Sequence, residues 1–195
     1  MPELQPAKPA EGSSGIPRLT PLGREERTEE QRLLLSAIPR DEVPNLFSTM
    51  ARHPALYRAW FPFCIQLLVN SVFSPREREL MIIRTAWLCG SAYELENHLE
   101  LGAEVGLTGY DFAAVTGDGS ETWTPRERLL VAAVGELHAK HTICDATWQE
   151  LSTLLTTEQL IELPVLVGHY ILLAGMLNSL GVPLDSKGAA PNTAQ

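Results

Sequence analysis

Three side chains in one stretch have the types and spacing that proton transfer needs: Glu79, Glu94 and His98. Glu94 and His98 stand four residues apart, which places both on one face of a helix. Glu79 lies near the start of the preceding helix, among positions expected to be buried. A carboxylate beside a histidine in apolar surroundings suits acid–base work, because burial and a charged neighbour move both pKa values towards neutrality. The competing expectation is an exposed i,i+4 pair, which contributes only a few tenths of a kcal/mol.

The elements that must position these groups are two consecutive helices over residues 74–106. Ser74, Pro75 and Glu77 supply N-cap, N1 and N3 of a capping box. Leu80, Ile83, Trp87 and Leu88 then recur at helical spacing. A break at Cys89-Gly90-Ser91 lets the second helix fold back on the first, and Gly106-Leu107-Thr108 marks its exit. The opening SPREREL of residues 74–80 returns as TPRERLL at 124–130. In that second copy Leu129 stands where the first has Glu79, so any acid function belongs to the first copy alone.

Elsewhere the chain reads as helices and breaks. Residues 28–37 form a short helix behind a Thr28 cap, and Pro39 and Pro44 bound a loop. Residues 45–72 form two apolar helices either side of His53-Pro54, with Pro62 kinking the second or near its start; they are core, with no chemistry assigned. After a polar loop at 115–122 come the helix from Thr124, another from Asp145, and a long last one over 157–180 that passes through Pro164. That last helix is apolar nearly all round and is expected to be buried in the core or against another subunit, with His169 and Tyr170 as its polar groups. No segment alternates as a strand does. The expected fold is all-α, with about seven or eight helices in one domain over 16–185. Residues 16–22 form an extended lead-in along its surface, and 1–15 and 186–195 are loose tails.

Composition narrows the function classes. The formal net charge of −9 argues against wrapping nucleic acid or docking on anionic lipid. No run approaches the roughly 18 apolar residues of a membrane helix, and the N-terminus lacks the pattern of a signal peptide. Cys64, Cys89 and Cys144 form no CxxC, which fits a reducing cytoplasm rather than a disulfide framework. His138 and His141 lack an HExxH context, so no metal site is expected.

The run PREREL, then Tyr93-Glu94-Leu95 with His98-Leu99, Gly102 and the Gly106-Leu107-Thr108 exit, resembles the carboxymuconolactone decarboxylase family of the alkyl hydroperoxidase D-like superfamily. The closing VGHYILLAGMLNSLGVPLD is similar to the last helix of many members. The resemblance implies an alkyl hydroperoxidase D-like helical bundle and trimers or hexamers. The hydroperoxidase branch places a CxxC pair on the second helix, and those positions here hold Ser91 and Glu94. Cysteine-dependent peroxidase activity is therefore not expected.

The resemblance implies instead a cofactor-free lyase acting on a small unsaturated carboxylate or lactone, as the family converts 4-carboxymuconolactone to an enol-lactone with loss of carbon dioxide. On that reading His98 is the general acid/base, and Glu94 or Glu79 orients it. Tyr93, Trp87 and Tyr170 line the pocket, and Arg84 is the candidate for holding a substrate carboxylate. The alternatives are another proton-transfer enzyme (isomerase, hydratase or dehydratase) or a catalytically silent binding or assembly subunit.

Overall fold

The computed structural model describes residues 16–38, 42–117 and 123–185. The two expected tails, 1–15 and 186–195, and most of the expected 115–122 loop lie outside the described residues. Among the described residues there are nine α-helices and no strand. They are α1 (Glu29–Leu35), α2 (Asn45–Met50), α3 (Pro54–Leu68), α4 (Pro75–Leu88), α5 (Ala92–Glu104), α6 (Gly109–Thr116), α7 (Pro125–Lys140), α8 (Asp145–Leu154) and α9 (Thr157–Leu180).

Local sequence sets the helix starts. Five helices close the full capping box, in which the N-cap hydroxyl accepts the N3 amide and the N3 side chain reaches back to the N-cap amide. The pairs are Thr28 with Gln31, Ser74 with Glu77, Thr108 with Asp111, Thr124 with Glu127, and Thr156 with Gln159. Pro62 and Pro164 both sit inside helices, α3 and α9.

Helix α4 is the hub and packs against α5, α6, α7 and α9. Its residues from Glu79 to Ile83 are all at most 1% exposed, so it is covered on every side rather than along one face. Met81 and Ile82 join the larger core with Tyr57, Leu130, Leu163 and Tyr170. Leu80, Ile83 and Ala86 join a second cluster with Leu95, Phe112 and Trp123. Each such side chain, fully buried, contributes about 1.5–3 kcal/mol.

The repeated heptapeptide has a structural counterpart. Arg76 donates to Glu127 Oε1 at 2.7 Å, and Arg126 donates to Glu77 Oε1 at 2.5 Å. The arginine of each capped first turn thus binds the capping glutamate of the other, which locks α4 and α7 together at their N-termini. Arg76 also donates to Asp111 Oδ1 at 2.7 Å and so ties in α6.

The last helix departs from expectation in one respect. It is long and apolar enough to cross a membrane by length and composition, although no such run was expected. Its inner face packs on α4 and α7 as a core helix does. Within the single chain its opposite face is open: Ile161, Val165 and Leu172, which share that face, are 63%, 39% and 60% exposed.

The α5–α6 corner is tight because Gly102 has no side chain. A Cβ there would lie 2.9 Å from Leu107 Cδ1, 3.1 Å from Ile83 Cδ1 and 3.2 Å from Phe112 Cε1. Overpacking costs about 1–3 kcal/mol, partly offset by the roughly 1 kcal/mol that alanine gains over glycine in a helix. Gly102→Ala is therefore expected to destabilise by about 1 kcal/mol. A lower urea midpoint at unchanged m-value would show it, and an unchanged or higher midpoint would count against this packing.

Candidate active site

The capped start of α4 and the Gly90 turn into α5 bring Glu79 and His98 into contact. Gly90 has φ 60°, a left-handed value that glycine adopts without steric cost. Glu79 Oε2 lies 2.7 Å from His98 Nδ1, while Oε1 accepts from Arg78 Nε at 3.0 Å and Nη2 at 2.9 Å. Glu79 is 0% exposed and His98 7%. Burial pushes the Glu79 carboxyl up, but the hydrogen bond and charge of His98 and the charge of Arg78 outweigh it and hold the pKa below the ordinary value. An ionised Glu79 accepts the Nδ1 proton, and this fixes the tautomer so that Nε2 is the ring nitrogen left for a substrate.

Glu94 is equally buried, at 3% exposure, but does not touch His98 in this way. Neither of its carboxyl oxygens meets a hydrogen-bond partner in good geometry among the described residues. Burial raises its pKa well above the ordinary carboxylate value, opposed only in part by the Ser91 hydroxyl. The two glutamates are thus driven apart: His98 and Arg78 lower the pKa of the one that orients His98, and burial raises that of the other.

Both Glu94 and His98 line a cavity of about 300 Å³. Helix α3 supplies Phe61, Cys64 and Ile65 to its wall, and the segment around α2 supplies Pro44, Leu46 and Phe47. Tyr170 of α9 closes the far side, with its ring edge-to-face on His98 at 5.1 Å between centroids. The outer wall is clasped by the end of the domain. Asp185 Oδ2 accepts from the Tyr93 hydroxyl at 2.7 Å, and Oδ1 accepts from the Asn45 amide at 2.7 Å. The Tyr93 oxygen in turn accepts the Leu46 amide at 3.1 Å.

Of the side chains expected at the site, Glu94, His98, Tyr93 and Tyr170 line the cavity, and Glu79 stands directly behind His98. Arg84 and Trp87 are elsewhere. Arg84 donates to the Val115 carbonyl at 2.6 Å and the Gly117 carbonyl at 3.2 Å, which serves the end of α6. Trp87 packs on the second core cluster with Leu99. His169 is not in the cavity wall either; it is buried against Trp60 and Phe63, and burial lowers its pKa to about 4.

The cavity's α2 and α3 wall was not foreseen, since residues 45–72 read only as core. Cys64 is its one chemically distinctive member, and a single cysteine in an apolar helix gives no sequence signal beyond burial. Burial, and then the proximity of Glu94, push the Cys64 thiol up to about 12 and the Cys89 thiol up to about 11. Both are therefore thiols rather than thiolates near neutral pH. Among the described residues no three His, Cys, Asp or Glu side chains form a group that could hold a metal ion.

The span that builds this geometry, from α3 to α7, is also the span that a known family shares. Residues 54–136 match the carboxymuconolactone decarboxylase family. The family segment contains Cys64, Glu79, Glu94 and His98, while Tyr170 and the Asp185 clasp come from beyond it. No curated protein matches the chain in sequence. Solved structures do match in shape. An uncharacterised peroxidase-related protein from Silicibacter sp. TM1040 is 15% identical, with a TM-score of 0.70 over 92% of this chain and 95% of that one. The alkylhydroperoxidase AhpD core of a peroxidase-related protein from Ralstonia eutropha JMP134 is 17% identical, with a TM-score of 0.63 over 88% and 94%. The debrominase Bmp8 is 16% identical, with a TM-score of 0.66 over 86% and 92%. At these identities the likeness shows a shared AhpD-like fold and no shared reaction.

Proposed function

We propose that the protein is a cofactor-free proton-transfer enzyme, a decarboxylase-like lyase acting on a small unsaturated lactone or carboxylate. The observation that carries this reading is the buried Glu79–His98 pair at 2.7 Å, with His98 and a second buried carboxyl, Glu94, both in the wall of one apolar cavity. Loss of carbon dioxide next to an unsaturated system leaves an electron pair that must be delocalised and then protonated. His98 Nε2, held in orientation through Nδ1, accepts or delivers that proton, and Glu94 is a second acid within the same cavity. Apolar walls favour the step, because a carboxylate stripped of water is less stable relative to the neutral carbon dioxide it releases.

The peroxidase-related and debrominase neighbours supply no competing reading for this chain. Thiol chemistry begins with a thiolate, and Cys64 and Cys89 are held as thiols. A proton shift within the substrate, catalysed by the same pair, is the second reading. The test is a panel of small lactones and unsaturated acids, followed both for carbon dioxide release and for deuterium uptake from solvent, with His98→Asn alongside. His98-dependent carbon dioxide release supports the lyase, and His98-dependent deuterium uptake alone supports the proton shift. Turnover that survives in His98→Asn would sink both.

The proposal extends to self-association through the outer face of α9, where Ile161, Val165 and Leu172 are exposed. Sedimentation of the wild type should give a multiple of the 21.5 kDa chain mass, and Leu172→Glu should reduce it. A monomeric wild type would refute the assembly.

A further inference from the structure

The repeated heptapeptide supplies an internal comparison. Arg78 of the first copy corresponds to Arg128 of the second, and Glu79 to Leu129. Where the glutamate is missing, the arginine is exposed and donates to the Trp123 carbonyl. Where the glutamate is present, the arginine is turned in, with only 12% of its side chain exposed, and two of its nitrogens reach one oxygen of Glu79. Neighbouring side chains on a helix diverge, so this contact is not a product of helix spacing. Nor is it a tie between helices of the kind that Arg76 and Arg126 make. Among the described residues the Arg78 guanidinium bonds to Glu79 alone. What it supplies is a positive charge beside a carboxylate that is 0% exposed and whose other oxygen holds His98.

We propose that Arg78 is a positioning residue of the site: it fixes Glu79 as the acceptor of the His98 Nδ1 proton, so that the pair exchanges protons through Nε2 alone. A lone carboxylate buried beside a neutral imidazole is unfavourable, and such a pair relieves the cost by taking up a proton. When that proton settles on Glu79, the carboxyl becomes a donor to Nδ1, the ring hydrogen moves to Nε2, and the base is closed to a substrate. The Arg78 charge removes this alternative. With His98 uncharged, the three side chains together are neutral, and Nε2 keeps its lone pair. The other ionisable groups around the pair cannot take this part. Glu94 from α5, Tyr170 from α9 and Cys64 from α3 are acids, and none can carry a positive charge. The charged groups that α6 and α7 turn towards α4, namely Asp111, Arg126 and Glu127, are paired with its first turn.

This inference rests on the reading of His98 as the proton-transfer group, and imidazole nitrogen NMR of the full chain tests it without turnover. His98→Asn identifies the ring, as the signal that it removes. In the wild type at mildly alkaline pH the ring proton should sit on Nδ1, with Nε2 bare; a proton on Nε2 would overturn the assignment. Arg78→Gln keeps an amide donor for Oε1 but drops the charge, and the titration of the Glu79–His98 pair should move up by about one pH unit or more. Arg78→Lys keeps the charge and should stay within about half a pH unit of wild type. The upward move should survive in a Glu94→Gln background, which removes Glu94 as the responding group. A purely structural Arg78 would lower the melting temperature in both variants and leave the titration in place. A titration unmoved in Arg78→Gln, equal moves in the Gln and Lys variants, or a move lost in the Glu94→Gln background would overturn the proposal. Should Arg78→Gln fail to fold, the wild-type tautomer and the Arg78→Lys titration still decide it. His98-dependent turnover with a titration indifferent to Arg78 would overturn this role alone. The expected tautomer and titrations with no turnover of any substrate would overturn the proton-transfer reading alone.

Discussion

Replacing Glu79 with alanine is expected to destabilise the protein by about 3–5 kcal/mol, the range measured when one partner of a buried ion pair is removed. The carboxylate is 0% exposed and answers three donors, Nε and Nη2 of Arg78 and Nδ1 of His98. Its removal leaves the Arg78 guanidinium, only 12% exposed, as a buried cation with its acceptor gone. For a chain of this size the melting temperature should fall roughly 6–20 °C. The pH dependence follows from the direction of the Glu79 shift. Burial acts to raise its pKa, but His98 and Arg78 win and lower it, so the folded value lies below the unfolded one. Its contribution is complete above the unfolded value of about 4.5 and is lost as pH falls through the folded value. Melts of wild type and Glu79→Ala should therefore converge as pH drops from 6 towards 3. Curves that stay parallel over that range would mean the carboxylate is not the stabilising partner.

The second large effect is on turnover. Asparagine at position 98 can place an amide donor near the site of Nδ1 and so preserve the contact with Glu79, but it puts nothing at the site of Nε2. General acid–base catalysis contributes about 10²–10⁴-fold, and His98→Asn should lose that much in kcat with little change in KM. A structural role for the ring would predict the opposite pattern, a lowered melting temperature with kcat nearly retained. Retention of kcat within about tenfold would remove His98 from the chemistry.

Much of this site was legible because its supports are local. The Ser74 cap, the i,i+4 spacing of Glu94 and His98, and the placement of Glu79 in a buried run are properties of short stretches. What was not legible depends on how helices cross. Two glutamates of the same type flank one histidine, and only the packing of α4 on α5 makes Glu79 its partner and leaves Glu94 free of it. Arg84 and Trp87 share a helix with Glu79, but α6 and the second core cluster take them. The cavity wall collects side chains from α2, α3, α5 and α9, and no periodicity within one helix announces that convergence. Glu94 misleads for a different reason: its local pattern promises a cap, but the Ser91 amide that such a cap would bind already donates to the Ala86 carbonyl at 2.9 Å, where α4 ends.

The clasp at Asp185 carries a consequence for the order of events during synthesis. Asn45 is separated from Asp185 by 140 positions and Tyr93 by 92, yet a single carboxylate holds both. A chain made from its N-terminus can pack α4 against α5, and close the Glu79–His98 contact, while Asp185 is still inside the ribosome. The groups proposed for proton transfer are then in place before the chamber around them is shut. A nascent chain stalled short of Asp185 would hold a formed histidine–glutamate pair behind an unfastened wall.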